Sequence, residues 1–211
     1  MIDLFLSLVA LILFLVSIIL GALIYNNKDK RKFNFLNMFP FEMKSKDYRL
    51  NNLFYLILTL SLGFVIYVSL YLFYLYEVVL LSKFLSLSLI FCSLLLISLF
   101  VIDFKNYKLH LLTSILFTTL NAMNYAVFSY LGYRFAFTKY PLWSSIIGVV
   151  VTIFLLILLL LPSLKSWYLL KKNQNNEFVR GRIHPYAFIE WINIILYILL
   201  FAFASIAKLL I

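Results

Sequence analysis

Residues 117–134 read FTTLNAMNYAVFSYLGYR and place two asparagines within an apolar run that is long enough to cross a lipid bilayer. An amide that faces hydrocarbon leaves its hydrogen-bonding groups unpaired, at a cost on the order of several kcal/mol per group. Asn121 and Asn124 are therefore predicted to face other helices or a polar cavity. The stretch indicates a bundle of membrane helices with a polar interior.

The composition of the whole chain agrees with this prediction. Of 211 residues, 65% are hydrophobic and only 12% are charged, whereas a soluble domain carries roughly a quarter charged residues. The mean hydropathy is +1.04. These values exclude a water-soluble fold and predict an all-α polytopic integral membrane protein. Its net charge of +10 is explained by orientation and lipid headgroups rather than by nucleic acid.

Hydropathy predicts a single membrane domain, residues 1–211, that forms a six-transmembrane-helix bundle. Proline supports several helix edges, because Pro141 and Pro185 suit the first position of a helix and Pro162 follows one. The expected spans are residues 4–25, 52–76, 83–102, 109–133, 142–162 and 186–208.

The basic residues predict the orientation of these spans. Most of the 18 lysines and arginines fall in three loops on one side, residues 26–51, 103–108 and 163–185. Because Lys and Arg near helix ends stay in the cytoplasm, these loops are expected to be cytoplasmic and both termini non-cytoplasmic. The expected location is the plasma (cell) membrane.

The first of these loops mixes aromatic and basic residues. Its core, FNFLNMFPFEM at residues 33–43, follows a run of lysines. This composition is typical of a segment that lies in the headgroup layer, with its rings towards the acyl chains and its ammonium groups near anionic lipid. The alternative is that the segment docks on a membrane protein partner, with Glu42 as its polar contact.

Polar residues recur at helical spacing in the last three spans. In span four Asn121 and Tyr125 share a face, and in span six Glu190, Asn193 and Tyr197 follow at intervals of three and four. In span five Ser144, Gly148 and Thr152 form a face of small residues that lets backbones approach closely. The predicted polar layer comprises Asn121, Asn124, Tyr125, Thr152, Glu190, Asn193 and Tyr197.

This layer has two interpretations. It can consist of hydrogen bonds that hold the helices together, which are common between membrane helices and worth about 0.6 kcal/mol each. Alternatively it lines a cavity for a solute between spans four, five and six. Glu190 favours the second interpretation, because an ionisable residue within a span is a functional candidate by default.

Evidence for chemistry is sparse. His110, His184 and Glu42 are candidates at the cytoplasmic face, but neither histidine has metal-ligand spacing. The chain has one cysteine, Cys92, and it contains no nucleophile motif or phosphate-binding loop. We therefore assign no catalytic residue, metal or cofactor.

The sequence favours a non-enzymatic multi-pass membrane protein that is a small subunit or assembly factor of a membrane complex. Its expected partners are the lipid bilayer, anionic lipid on the cytoplasmic side and a membrane protein, with no nucleic acid. The alternatives are a small transporter or substrate-binding component and, third, a lipid-modifying enzyme that acts through His110, His184 and Glu190.

Overall fold

The computed structural model describes residues 2–29, 32–43, 48–71, 80–102, 106–135, 141–160 and 184–209. Within them the chain is helical and has no β-strand, as the sequence predicts. The helices are α1 (Ile2–Asp29), α2 (Tyr48–Ser69), α3 (Leu80–Val101), α4 (Tyr107–Arg134), α5 (Leu142–Leu160) and α6 (Pro185–Leu209). Each is long and apolar enough to cross a membrane, which confirms the expected count of six.

The six helices differ in how deeply they are buried in the bundle. In α6, 61% of the apolar span is buried inside the protein, against 22% in α5. α6 contacts α1, α4 and α5, whereas the most extensive contacts of α5 are with α4. Most of the α5 surface, including Ile146 and Val150, is exposed and suits contact with lipid. α6 is therefore an interior helix and α5 a peripheral one.

The contact between α4 and α5 depends on small residues. A Cβ atom added at Gly148 would lie 2.5 Å from the Cβ of Ser129 and 2.7 Å from its Cα. One added at Gly132 would lie 2.6 Å from the backbone nitrogen of Ser145. The hydroxyl of Ser129 also donates to the Ser145 carbonyl at 2.8 Å. The small-residue face of α5 thus lies against α4 at backbone distance, and only glycine fits at position 148.

Residues 33–43, which we call the cap, lie against the end of the bundle where α3 ends and α4 and α6 begin. We call this end the basic end, because Lys32, Arg49 and Lys108 are exposed there. A short 3₁₀-helix, Pro40–Glu42, lies near the C-terminal end of the cap. Phe39 and Met43 are completely buried. The cap is therefore a packed part of the fold.

Several predicted boundaries meet the edge of the described residues. The second expected span, 52–76, runs past the end of α2, and residues 72–79 lie outside the described part of the chain. The same holds for residues 103–105 of the predicted loop 103–108, for residues 163–183 of the loop 163–185, and for residues 30–31 and 44–47 of the first loop.

Candidate functional site

A buried pair of titratable side chains joins α4 to α6 near the basic end. His110 lies in the first turn of α4 and Glu190 in the second turn of α6. Imidazole Nε2 is 2.9 Å from carboxylate Oε1, and both side chains are 0% exposed. An ionisable group inside a membrane span requires such a partner, because an isolated charge is costly there. Each side chain thus makes the burial of the other tolerable.

The second nitrogen of the His110 ring fixes its protonation. Nδ1 is 2.9 Å from the backbone carbonyl of Ile102, at the end of α3. A carbonyl oxygen only accepts hydrogen bonds, so Nδ1 carries a hydrogen and donates it. A hydrogen bond between Nε2 and Oε1 then requires one further proton, on either the imidazole or the carboxyl group. The pair is electrically neutral in both forms.

The cap covers this pair with aromatic rings. The ring centroids of Phe39 and Phe41 lie 6.0 Å and 5.1 Å from that of His110, at nearly perpendicular angles. Trp191, next to Glu190 in α6, donates from its indole nitrogen to the Met38 carbonyl at 2.8 Å. The cap is thus attached directly to the helix that carries Glu190.

The rings that the sequence placed in the lipid headgroup layer divide into two groups. Phe33, Phe39 and Phe41 are buried against the protein, whereas Phe35 and Leu36 are partly exposed. The physical reason is that helix ends at the basic end expose apolar and backbone groups that this segment can cover. The first predicted cytoplasmic loop therefore lies mainly against its own helices in the described structure.

The side chains of His184 and Glu42 each accept a hydrogen bond from a nearby backbone amide. His184 precedes Pro185, and its Nδ1 accepts the Ala187 amide of the first turn of α6 at 3.4 Å, as an N-cap residue does. The His184 amide donates to the Leu36 carbonyl in the cap at 2.8 Å. Glu42 Oε2 accepts the Phe39 amide at 2.7 Å. His184 therefore begins a helix, and Glu42 holds the 3₁₀-turn of the cap.

A separate set of hydrogen bonds joins α4 to α6 further along the two helices. The Asn193 side-chain amide donates to the Thr118 hydroxyl at 2.6 Å, and that hydroxyl donates to the Ser114 carbonyl at 2.8 Å. The Asn121 amide donates to the side-chain oxygen of Asn193 at 3.3 Å and to its backbone oxygen at 3.2 Å. The bond directions are mutually consistent, and two amides and one hydroxyl join the helices, although the Asn121 side-chain oxygen has no partner among the described residues.

The remaining members of the predicted layer have different partners. Tyr125 donates its hydroxyl hydrogen to the Leu196 carbonyl at 2.7 Å. The Tyr197 hydroxyl lies 2.6 Å from Ser93 Oγ and 3.0 Å from the Leu89 carbonyl, both in α3. Tyr197 therefore points to α3, and the structure does not join it to Asn121 in one hydrogen-bonded layer.

Asn124 and Thr152 lie at the edges of the network. The Asn124 amide contacts the Cys92 sulfur of α3 at 3.6 Å. Thr152 donates mainly to its own helix, at 2.7 Å from the Gly148 carbonyl. Together with Ala126, Ser129, Val149 and Ile153, Thr152 lines an open groove of about 200 Å³ between α4 and α5.

The exposed fraction of these polar side chains shows whether a solute can reach them. Asn121, Asn124, Tyr125 and Tyr197 are 0% exposed, and Asn193 is 1% exposed. A side chain that lines a water-filled cavity would keep accessible surface, so these residues lie in a packed interior. The carbonyl oxygens of Asn121 and Asn124, and Glu190 Oε2, have no hydrogen-bond partner among the described residues.

Two contacts could not be anticipated from the residue pattern. Tryptophan is common at membrane–water interfaces. Nothing in the sequence indicates that the Trp191 indole donates a hydrogen bond to the Met38 carbonyl. The Ile102 carbonyl that orients His110 is a backbone group and leaves no trace in the sequence. The described residues contain no cluster of three or more His, Cys, Asp or Glu that could hold a metal ion.

Comparison of the chain with protein-family models, with curated proteins and with solved structures finds no match.

Proposed function

We propose that this chain is a non-enzymatic subunit or assembly factor of a membrane complex, and that it works through contacts on its outer surface. One observation carries this proposal. The polar side chains of the interior bond to one another across α3, α4 and α6 and are almost completely buried. Direct bonds of this kind hold helices together. The residues that would recognise another molecule are then those on the outer surface of the bundle.

A concave face of α2 supports a contact with a partner helix. Leu56, Leu60 and Phe64 line a depression of about 340 Å³ together with Thr59, Gly63 and Tyr67. Nothing lies within 4 Å of a Cβ atom built on Gly63. A helix with a small residue and adjoining aromatic side chains offers the close approach that membrane helix pairs use. The proposed occupant is a single transmembrane helix of another polypeptide.

The basic end is proposed to face the cytoplasm in the plasma membrane, so both termini are non-cytoplasmic. The support is the distribution of Lys and Arg along the sequence, which concentrates in residues 26–51, 103–108 and 163–185. Phe35 and Leu36, partly exposed beside Lys32 and Arg49, suit contact with the headgroups of anionic lipid. The chain is thus proposed to bind lipid at one end and a protein along α2.

The test is site-specific photo-cross-linking. A photoreactive residue at Tyr67, which is 53% exposed, is expected to join the chain to one polypeptide at fixed stoichiometry. The same residue at Val150, exposed on α5, is the matched control and is expected to capture lipid only. Gly63→Phe should abolish the Tyr67 product because the ring fills the depression. Equal products at both positions, insensitive to Gly63→Phe, contradict the proposal.

A transporter is the second candidate function, and the unpartnered carbonyl oxygens of Asn121 and Asn124 favour it. A solute with hydrogen-bond donors would satisfy both oxygens. Under this candidate Asn121→Leu leaves the fold stable and abolishes uptake or ligand binding. Under the first candidate the same change lowers stability and leaves partner binding unchanged in the folded fraction.

A further inference from the structure

We propose that His110 and Glu190 form a proton-binding site, and that the proton bound between them keeps the cap closed. The observation is geometric. Nε2 and Oε1 are 2.9 Å apart in a fully buried contact, while Nδ1 is held by the Ile102 carbonyl. The ligand is a single proton that belongs to the contact rather than to one residue.

The fixed Nδ1 hydrogen decides what loss of this proton does. Without it, Nε2 presents a lone pair to an ionised carboxylate oxygen at hydrogen-bond distance, and neither atom can donate. The tautomer that would restore a donor at Nε2 requires Nδ1 to give up its bond to Ile102. Loss of the proton therefore breaks the hydrogen bond between His110 and Glu190, while the Asn121–Asn193 and Asn193–Thr118 bonds continue to join α4 to α6.

Gain of a second proton has a different result. Glu190 Oε2 has no partner among the described residues and can accept a proton while Nε2 continues to donate to Oε1. The hydrogen bond thus survives at acid pH and is lost as pH rises. Because the link is present in the protonated form only, the closed cap is favoured at low pH and opening increases towards alkaline pH.

The cap is expected to move when the proton is lost, because its rings lie against His110. Phe39 and Phe41 contact the His110 ring, and Trp191, the neighbour of Glu190, holds the Met38 carbonyl. A bare carboxylate at Glu190 is poorly solvated, since the residue is 1% exposed and its Oε2 has no hydrogen-bond partner among the described residues. Water reaches it when the cap moves, so release of the proton and movement of the cap are coupled.

Other titratable groups of the packed elements lie near this end of the bundle. His184 contacts the Phe39 ring, which also contacts His110, and Glu42 bonds to the Phe39 amide. Lys32, Arg49 and Lys108 are exposed cations at this end. Among the described residues, the hydroxyls of Tyr25, Tyr55 and Tyr186 also belong to this set. His184 is the group whose titration must be separated from that of His110.

The first test uses the fact that the chain has two histidines. His184→Asn keeps a side-chain acceptor at the start of α6 and leaves His110 as the single histidine. In the ¹⁵N-histidine spectrum of this variant, Nδ1 is expected to stay protonated while the Nε2 signal changes with pH. Glu190→Gln should abolish or strongly shift that change. An unprotonated Nδ1, or a response unaltered by Glu190→Gln, overturns the proposal.

The second test measures movement of the cap. In a Cys92→Ser background, Met43→Cys places a thiol at a fully buried cap position beside Gly21 of α1, and Leu36→Cys places one at an exposed position. The ratio of their labelling rates removes the effect of thiol ionisation. Coupling to one proton predicts that this ratio rises about tenfold per pH unit in the range where opening releases the proton. A flat ratio overturns the proposal, as does the same slope in Glu190→Gln.

Discussion

Nε2 of His110 lies 2.9 Å from Oε1 of Glu190, a residue 80 positions later in the chain. This contact links the start of α4 to the start of α6 beneath the aromatic cap. It also explains how a carboxylate is accommodated within a span, because the imidazole neutralises it at hydrogen-bond distance.

Removal of one member of this pair should be far more damaging than an isosteric change. Glu190→Ala leaves His110 buried without its partner and is expected to lower the free energy of unfolding by about 3–5 kcal/mol. Glu190→Gln can still donate an amide hydrogen to Nε2, so its cost should be less than half as large. Thermal unfolding in detergent measures both. Equal losses would show that the contact contributes nothing specific.

Asn121→Leu should destabilise the bundle. It removes the donor to Asn193 and leaves that residue's side-chain oxygen without its bond, at an expected cost of about 1–2 kcal/mol. Thr119→Leu, on the exposed face of the same helix, is the matched control and should change stability by less than about 0.5 kcal/mol. Both are measured by the shift in melting temperature. The structural role of Asn121 is rejected if the two variants melt together.

The α4–α5 contact predicts opposite effects at two glycines. Gly148→Ala forces its new methyl group into Ser129 and should separate the helices, with a loss of about 1–3 kcal/mol. Gly63→Ala meets open space and should be neutral or slightly stabilising, because alanine favours helix over glycine by roughly 1 kcal/mol. Chemical unfolding in detergent compares the pair. A tolerated Gly148→Ala would contradict the close approach seen here.

Thiol labelling tests the proposed orientation. Native Cys92, 0% exposed, should resist membrane-impermeant reagents from both sides of the membrane. In the Cys92→Ser background, Leu36→Cys should react in inside-out vesicles and remain unmodified in right-side-out vesicles. The reverse pattern would place the basic end outside the cell. Rapid labelling of native Cys92 would contradict its burial in α3.

The sequence predicts the helices and the inward direction of their polar groups for clear physical reasons. Hydropathy over about twenty residues determines that a segment can span a membrane, and an amide such as Asn121 cannot face lipid. Helical spacing identifies the face that Asn193 and Tyr197 share. These inferences use only one helix at a time.

The partners of these residues depend on how helices rotate against one another, which the sequence does not specify. Tyr197 lies in the same α6 face as Asn193, yet it bonds to Ser93 in α3 because α6 is surrounded by several helices. The cap is similar. Phe39 and Phe41 fit either lipid or protein, and the decision rests on the apolar helix ends at the basic end. The pairing of His110 with Glu190 is accessible in principle, since the sequence predicts both residues near the cytoplasmic ends of their spans.

Native mass spectrometry after purification in mild detergent with a C-terminal tag shows whether the protein binds a partner polypeptide. We expect a complex with one additional polypeptide at defined stoichiometry, which Gly63→Phe removes while the chain itself stays folded. A lone chain that retains a small molecule, and loses it on Asn121→Leu without loss of stability, would contradict the proposed role as a subunit and establish the polar interior as a binding site.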